Sequence, residues 1–175
     1  MTVTRLDASR LRARAAELAD LLIDAVDDGA SLGFLAPLDR AAAEAWWEER
    51  AQGVAAGRLA VWTAQDGERD RVVGTVGLAF PDKPNSSHRA ELVKLIVHRD
   101  ARGRGLGRTL LTAAERSAAA ADVTLLHLDT ETGSPAERLY RTAGWTRAGV
   151  IPDYAANPAG ILRPTTLYYK HVAVG

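Results

Sequence analysis

The order of the predicted elements indicates an α/β (α+β) protein, built on a mixed sheet with helices on both of its faces. Three observations support this fold class. Helical patterns fill the first third of the chain, strand and helix patterns alternate through its middle, and two strand patterns close it. No repeat, heptad or low-complexity linker interrupts the 175 residues. A single domain over residues 1–175, large enough to bury a proper core, is therefore predicted.

Composition excludes several classes of function. The 22 basic and 22 acidic residues cancel, so neither bulk nucleic-acid binding nor binding to an anionic membrane has compositional support. The absence of cysteine excludes disulfides, thiolate catalysis and cysteine-ligated metal, and is compatible with a reducing cytoplasm. The N-terminal residues lack a signal-peptide pattern, and no apolar run approaches membrane-spanning length. We expect a soluble, cytoplasmic protein.

The first third of the chain predicts a strand and two helices. Thr2–Leu6 is a candidate first strand, and Ser9–Val26 has the apolar spacing of one amphipathic helix. Asp39 is placed to cap a second helix, Arg40–Ala56. Between them, Gly29–Leu38 is apolar but contains two glycines and a proline, so it is either core filler or a lid over a substrate, and we favour the lid.

The second helix carries an adjacent tryptophan pair, Trp46 and Trp47. One of the two must point away from the core, either to partial burial at the surface or into a substrate pocket. The next patterns, Arg58–Gln65 and Val72–Phe80, predict two strands joined by a hairpin at the charged residues 66–70. A polar loop, Pro81–Ser87, then leads to the middle of the chain.

The middle of the chain combines a strand, a glycine-rich loop and a helix. Ala90–Val97 is a mainly apolar strand pattern whose two charged residues are Glu91 and Lys94, and helical spacing begins at about Gly107. A helix N-terminus that follows flexible glycines binds anions through its free N–H groups, and nearby arginines suit phosphate. The alternative is a glycine-rich turn with a solvated arginine face. The glycines and arginines concerned are Gly103, Gly105, Gly107, Arg99, Arg102, Arg104 and Arg108.

The last third predicts a strand, a helix and a terminal pair of strands. Ser134 and Pro135 are a strong helix start, because serine caps and proline suits the first helical position, and this helix should end at Gly144. The segment Pro152–Pro164 is predicted to be a long connection between the last two strands. The three strand patterns are Val123–Thr130, Trp145–Ile151 and Leu162–Val172.

The glycine-rich loop matches neither common nucleotide motif. The dinucleotide fingerprint requires glycine where Arg108 stands, and the P-loop requires a different spacing and a lysine. The pattern that remains, Arg102-x-x-Gly105-x-Gly107, resembles the acyl-coenzyme-A loop of the GNAT N-acetyltransferases.

A second segment strengthens this resemblance. Ala136-x-x-Leu139-Tyr140-x-x-x-Gly144-Trp145 resembles the A-x-x-L-Y-x-x-x-G-F segment of the same family. The segment 125–145, with the residues after it, is similar to the tabtoxin-resistance type of small-molecule acetyltransferase. The resemblance implies a GNAT-like, mostly antiparallel sheet of about six to seven strands, with helices on both faces.

The resemblance also implies where acetyl-CoA, the acyl-donor cosubstrate, binds. One departure is Gly133, where the family often has an asparagine that contacts the pantetheine, so backbone groups or Thr132 are expected to replace it. No metal is expected, since the histidines show no metal-ligand spacing. The implied cofactor-binding residues are Leu95, Ile96, Val97, Arg102, Gly103, Arg104, Gly105, Leu106, Gly107 and Arg108.

Acetyl transfer from a thioester requires a neutral amine, a donor for the developing oxyanion and a proton for the departing thiolate. A backbone N–H near Val97 could polarise the carbonyl. By match to the family's tyrosine, Tyr140 is the candidate acid; without that match, packing would be its default role. The candidate bases are Asp129 first, Glu91 second and His127 third, although Asp129 could instead cap a turn.

These features predict an acetyl-CoA-dependent N-acetyltransferase for a small-molecule amine or an amino-acid-like compound, acting by direct attack on the thioester. A protein or peptide acceptor is the alternative within the enzyme class. A non-catalytic acyl-CoA-binding module is the alternative outside it. We expect no nucleic-acid or membrane partner, and we allow for a homodimer.

Overall fold

The computed structural model describes residues 2–67 and 70–173. The strands are β1 (Thr2–Leu6), β2 (Leu59–Asp66), β3 (Arg71–Ala79), β4 (Arg89–Val97), β5 (Leu125–Glu131), β6 (Thr146–Ala156) and β7 (Leu162–His171). The helices are α1 (Ala8–Ala13), α2 (Ala15–Asp27), α3 (Arg40–Ala55), α4 (Leu106–Ala120) and α5 (Pro135–Thr142). Two 3₁₀ turns, Pro84–Ser86 and Arg99–Ala101, flank β4.

The seven strands form one sheet in the order β1-β2-β3-β4-β5-β7-β6. Among these described strands, β4 and β5 are the one parallel pair of neighbours, and the other neighbours are antiparallel. The predicted fold class, a mixed and mostly antiparallel sheet of six to seven strands, is confirmed. The predicted β2–β3 hairpin is also confirmed, except that Glu68 and Arg69 at its tip lie outside the described residues.

Helices cover both faces of the sheet, as predicted, and each face has its own core. On one face, α4 packs its buried leucines Leu106, Leu110 and Leu111 against the sheet. On the other face, α1, α2 and α3 form a second core, which includes the buried Trp47. Because the sheet separates the two cores, a ligand that reaches both must pass through the sheet or around its edge.

The first predicted helix is wrong in one respect, because the chain forms two helices where one was expected over Ser9–Val26. Arg14 leaves helical geometry, with φ of −104° and ψ of 6°, and separates α1 from α2. Its guanidinium donates to the Glu17 carboxylate and to the Asp70 carboxylate, each at 2.8 Å. Arg14 thus links the helix break to the β2–β3 hairpin.

The predicted long connection Pro152–Pro164 is also wrong, because β6 continues to Ala156 and only residues 157–161 separate it from β7. Ile151 pairs with Thr165 and Ala155 with Arg163, so β6 has two more residues than β7 between these pairs. The irregularity accommodates Pro152, which lacks a backbone N–H donor and is tolerated on the edge strand β6.

A bulge interrupts β4 at Lys94. Gly77 pairs with Val93 and Thr75 with Ile96, so β4 has one residue more than β3 across this interval. Lys94 has a φ of +50°, in the left-handed region that side chains rarely adopt. The bulge changes the alternation of side chains: Leu92 lies in the α4-side core, whereas Ile96 lies in the core beneath α2 and α3.

The sheet opens between β4 and β5. Their pairing covers only Arg89–Glu91 with Leu125–His127, after which each strand stays paired only with its other neighbour. Beyond Glu91, one edge of β4 therefore has backbone N–H and C=O groups with no partner strand. This gap between β4 and β5 connects the two faces of the sheet.

Candidate active site

The glycine-rich loop ends at the N-terminus of α4, as predicted. Gly103 and Gly105 have φ values of +74° and +75°, and Gly105 is the N-cap of the helix. A side chain at either position would be strained. A cavity of about 340 Å³ lies beside this N-terminus and is lined by Gly105, Arg108, Thr109, Thr112, Ala113 and Arg116. Free N–H groups and two guanidiniums suit this cavity to a phosphate-bearing ligand.

Gly107 brings three elements together at the gap. A Cβ built on Gly107 would lie 3.1 Å from Leu139 Cδ2 on α5 and 3.8 Å from Val97 Cγ2 at the end of β4. Glycine suits this position because a Cβ would require the Leu139 side chain to shift. The end of β4, the start of α4 and α5 thus surround one opening.

The predicted phosphate-binding arginines differ in whether they already have hydrogen-bond partners within the protein. Arg102 donates to the Val97 carbonyl at 3.1 Å and to the Asp28 carboxylate, while Arg99 is bound to Asp24. The Arg102 hydrogen bond lowers the pKa of Asp28. Arg102 therefore links the phosphate loop to the C-terminus of α2. Of the remaining pair, Arg108 donates to the Thr142 hydroxyl at 3.0 Å, and Arg104 has no hydrogen-bond partner among the described residues.

Tyr140 is buried on α5, with 5% of its surface exposed, between Trp145 and Tyr168. Burial raises the pKa of Tyr140 far above its ordinary value, and the negative charge of Asp129 adds to the effect. The phenol is therefore protonated at neutral pH and can donate a proton. No hydrogen bond from the described residues holds its hydroxyl, so the hydroxyl is available to a ligand.

The three candidate bases share one face of the sheet. Leu126 and Leu128 lie in the α4-side core, so period-two alternation places His127 and Asp129 on the opposite face. Glu91 on β4 pairs with His127 on β5, so the Glu91 side chain lies on the same face as His127 and Asp129. Asp129 is exposed and lies beyond the last β4–β5 pair, at the gap.

His127 is the weakest of the three bases. Its Nε2 lies 3.2 Å from the Arg89 guanidinium, which can only donate, so this nitrogen's lone pair is engaged. Partial burial lowers the pKa of His127, although Glu91 opposes the effect. The order in which the sequence ranks the bases remains a prediction, with Asp129 the most accessible to a substrate at the gap.

The groups expected to replace the family's asparagine already form hydrogen bonds within the protein. The Gly133 N–H donates to the Glu137 carboxylate at 2.6 Å, and the Thr132 hydroxyl lies 2.8 Å from that of Thr166. Glu137 also accepts from the Tyr168 hydroxyl at 3.0 Å. A pantetheine contact at this position would have to displace one of these hydrogen bonds. The free edge of β4 offers the pantetheine amides an alternative set of partners.

A larger cavity, of about 420 Å³, lies beneath α3 on the face that carries the candidate bases. Trp47 is buried and donates its indole N–H to the Leu18 carbonyl at 3.1 Å, whereas Trp46 is half-buried. Both line the cavity, so the pair combines core packing with the pocket-lining role. Phe34, in the predicted lid, packs edge-on against Trp46 with ring centroids 5.5 Å apart. The lid segment therefore forms part of the cavity's surroundings.

Sequence reasoning did not assign a role to Lys94 or Arg50, and both line this cavity. The signals were present: Lys94 is the one charged residue within the apolar run 92–97, and Arg50 follows Trp46 by one helical turn. Lys94 donates to the Leu32 carbonyl at 3.0 Å and so links the β4 bulge to the predicted lid.

Comparison with known proteins agrees with this arrangement. The sequence model of the acetyltransferase (GNAT) family matches residues 17–145, about three quarters of the chain. The chain belongs to the GNAT acetyltransferase family. It is accordingly an acyltransferase, and the matched range includes the glycine-rich loop, the β4–β5 gap and Tyr140.

Solved structures of other GNAT acetyltransferases have the same fold. A phosphinothricin acetyltransferase from Sinorhizobium meliloti, in complex with acetyl-CoA, has a TM-score of 0.81 at 21% identity, over 100% of this chain and 91% of its own. A ribosomal-protein-alanine N-acetyltransferase from Brucella melitensis has a TM-score of 0.77 at 24% identity, over 98% and 100%. A putative acetyltransferase from Salmonella typhimurium with acetyl-CoA reaches 0.76 at 20% identity, over 98% and 94%.

Within residues 2–67 and 70–173, no group of three or more His, Asp or Glu side chains is placed to hold a metal ion. No helix in the same part of the chain is long and apolar enough to cross a membrane.

Proposed function

We propose that this GNAT protein is an acetyl-CoA-dependent N-acetyltransferase that acetylates the primary amine of a small molecule, by direct attack of the amine on the thioester. The observation that carries the proposal is the gap between β4 and β5. The phosphate loop and Tyr140 lie on the α4 side of this gap, and the candidate bases with the 420 Å³ cavity lie on the other. A donor and an acceptor entering from opposite faces would meet there.

The donor fits the α4 side of the gap. The pyrophosphate would accept hydrogen bonds from the N–H groups of residues 103–108, at the N-terminus of α4. The pantetheine amides would pair with the free edge of β4 as an added strand does. An N–H of Leu95–Val97 would then polarise the thioester carbonyl. Two of the similar structures contain acetyl-CoA, which supports this assignment of the donor.

Three proton-transfer and bond-making steps complete the reaction. Asp129 takes a proton from the acceptor ammonium, directly or through water, with Glu91 as the next candidate. The neutral amine attacks the carbonyl carbon, the C–N bond forms, the C–S bond breaks, and the new amide nitrogen loses its extra proton to solvent. Tyr140 gives its proton to the departing thiolate and is reprotonated from solvent. Burial raises the pKa of Tyr140, so the phenol is protonated before the thiolate forms, although the same shift makes it a weaker acid.

The size of the acceptor cavity favours a small molecule. A volume of about 420 Å³ is typical of pockets for small ligands. The similarity to a phosphinothricin acetyltransferase agrees with an amino-acid-like acceptor, as does the resemblance to the tabtoxin-resistance type. The similarity to a ribosomal-protein-alanine acetyltransferase keeps a protein or peptide N-terminus as the second candidate. A homodimer and a cytoplasmic location remain part of the proposal.

Two measurements test this function. Calorimetry should show coenzyme A and acetyl-CoA binding, with NAD and ATP as controls, and saturating acetyl-CoA should raise the melting temperature by mass action. Release of free thiol should then follow addition of members of an amine panel. Tight binding of NAD or ATP without binding of acetyl-CoA would refute the donor assignment. Binding of acetyl-CoA without thiol release from any amine or peptide would indicate a non-catalytic module instead.

A further inference from the structure

The cavity beneath α3 has an unequal charge distribution. Its walls are apolar where Trp46, Trp47 and Val93 line it. Its charged lining consists of three cations, on Arg50, Arg58 and Lys94, against one carboxylate, on Glu49. A cavity with this excess of positive charge attracts anions and disfavours a purely cationic ligand.

Lys94 brings a cation into this cavity at a structural cost. Its backbone is in the left-handed region, which is unfavourable for a residue with a Cβ. Its ammonium group has three N–H donors, and among the described residues only the Leu32 carbonyl accepts from it. The remaining contacts are aromatic, with Nζ 5.4 Å from the Trp46 ring centroid and 5.9 Å from that of Phe34.

Arg50 places a second cation on the same aromatic ring. Its guanidinium carbon lies 4.2 Å from the Trp46 centroid. Its one carboxylate partner among the described residues is its chain neighbour Glu49, at 3.8 Å, and the Glu49 side chain is 69% exposed. Such an exposed pair contributes little and leaves the planar donor fork of Arg50 available for a bidentate anion.

The two cations repel each other in the ligand-free protein. Burial lowers the pKa of Lys94, and the charge of Arg50 lowers it further, against the opposing effects of Asp129 and Glu91. Neither of these carboxylates forms an ion pair with Lys94 within 4.0 Å in the described part of the chain. An anion bound between Arg50 and Lys94 would relieve this repulsion. The charge of Asp129 acts on Lys94, and both residues lie on the side of the sheet away from α4, so the anion site and the candidate base share one face.

We propose that the acceptor carries a carboxylate in addition to its amine, and that Arg50 and Lys94 bind this carboxylate in the cavity beneath α3. The inference rests on the proposed acetyltransferase function and adds the substrate class. The amino group of such a molecule points to Asp129 at the gap, and its apolar part packs on Trp46. Arg50 and Lys94 are then specificity-determining residues: they select amino-acid-like acceptors over simple amines and diamines.

Matched pairs of acceptors test the proposal. L-Phenylalanine and L-methionine are compared with their carboxamides, which have nearly the same size but no carboxylate. Thiol release should give the carboxylates the higher kcat/KM, by about 10- to 100-fold, since a hydrogen-bonded charge has that effect on binding. The amine of a carboxamide is the more readily deprotonated, so this bias works against the expected result. Equal kcat/KM values, or a preference for the carboxamides, would overturn the proposal.

Variants of Arg50 locate the effect. Arg50→Gln should remove the preference by raising KM for the carboxylates, with kcat and the carboxamide kinetics little changed. Arg50→Lys should restore part of it, because it keeps the charge. Arg12→Gln on α1 is the control, because it removes the same charge from an exposed residue outside the cavity. An equal loss of kcat/KM for both members of a pair in Arg50→Gln would assign Arg50 a structural role and overturn its role in specificity.

A binding measurement separates this proposal from the proposed function. If no compound releases thiol, the same four compounds are titrated by calorimetry into protein saturated with coenzyme A. Tighter binding of the carboxylates, lost in Arg50→Gln, would support the anion site even though the acetyltransferase proposal had failed for these acceptors. Equal binding of both members of each pair, or no binding of any, would overturn the anion site.

Discussion

At the residue scale, the chemistry depends on two side chains in opposite environments. Tyr140 is buried and stays protonated, whereas Asp129 is exposed at the gap. An acid must hold its proton until the thiolate forms, and a base must be free to receive one from a substrate. The two environments fit the two roles assigned to them.

The first prediction concerns the acid. Tyr140→Phe keeps the ring between Trp145 and Tyr168 but removes the proton. We expect kcat to fall by about 10²–10⁴-fold, the usual contribution of general acid catalysis, with little change in the affinity for acetyl-CoA. Steady-state kinetics and calorimetry measure the two quantities. Full activity in the variant would leave Tyr140 with a packing role alone.

The second prediction concerns the base. Asp129→Asn should reduce the rate most at low pH, where the acceptor is an ammonium ion and needs deprotonation. The rate should partly recover at high pH, where neutral amine is abundant. A pH–rate profile of both proteins measures this. A loss of the same size at every pH would indicate an orienting role for Asp129, and Glu91→Gln would be measured next.

Residue identities within motifs could be predicted from the sequence, but the acceptor cavity could not. Tyr140 and the glycines stand at fixed spacings along the chain, so the pattern alone locates them. Arg50 and Lys94 are 44 positions apart and come together only because the folded chain places both cations on the ring of Trp46. No local sequence pattern indicates that these two residues lie close together.

At the element scale, the phosphate loop depends on its backbone conformation. The third prediction is that Gly105→Val abolishes the binding of coenzyme A, because a β-branched residue is disfavoured at a φ of +75°. Gly107→Val should do the same, because its side chain would press against Leu139 at the mouth of the gap. Calorimetry measures the binding.

Circular dichroism provides the control for these glycine variants, since the loop is short and the helices should keep their signal. Gly160→Val is a matched variant, because Gly160 also has a positive φ, of +81°, but lies in the β6–β7 turn. It should carry a comparable strain and still bind coenzyme A. Unchanged affinity in Gly105→Val would contradict the location of the pyrophosphate.

The fourth prediction concerns the segment Gly29–Leu38. It has no regular structure and is held by the Lys94–Leu32 hydrogen bond and by a bond from the Ala36 N–H to the Pro158 carbonyl at 2.9 Å. We expect its amides to exchange quickly in the free protein and slowly with an acceptor bound, as for a lid. Hydrogen exchange measures this. Equally strong protection with and without acceptor would reject the lid.

The sequence predicted the types of the secondary-structure elements more accurately than it predicted their boundaries. The strand and helix periodicities depend on local spacing, which is visible along the chain. The break at Arg14 and the extension of β6 depend instead on distant partners, namely Asp70 for the break and β7 for the strand. Tertiary contacts decide such boundaries, and periodicity does not record them.

At the scale of the whole molecule, the two cores support different parts of the candidate active site. The α4-side core supports the phosphate loop and Tyr140, and the core beneath α2 and α3 supports the acceptor cavity. Damage to the second core should therefore reduce stability without removing donor binding, as long as the protein remains folded.

The fifth prediction uses this separation. Trp47→Phe removes the indole N–H that donates to the Leu18 carbonyl and leaves that carbonyl buried without this donor. We expect the free energy of unfolding to fall by about 1–3 kcal/mol, which lowers the melting temperature by about 2–4 °C for each kcal/mol. Acetyl-CoA affinity measured below the transition should be unchanged. A large loss of affinity would show that the two cores are coupled.

The bulge at Lys94 has a consequence for how this strand can change in evolution or in the laboratory. Side chains alternate between faces with a period of two, so an insertion into a regular strand acts as a frameshift acts on a coding sequence. At Lys94 the bulge absorbs the added residue: deleting it would place Leu95 opposite Val76, restore regular pairing with β3 and leave Ile96 opposite Thr75, on the face that it now occupies. The sheet should therefore tolerate a change of length at this one position, and the cost should be the loss of the Lys94 ammonium from the acceptor cavity. A further insertion elsewhere in β4, with no bulge to absorb it, should reverse the faces of the residues that follow it.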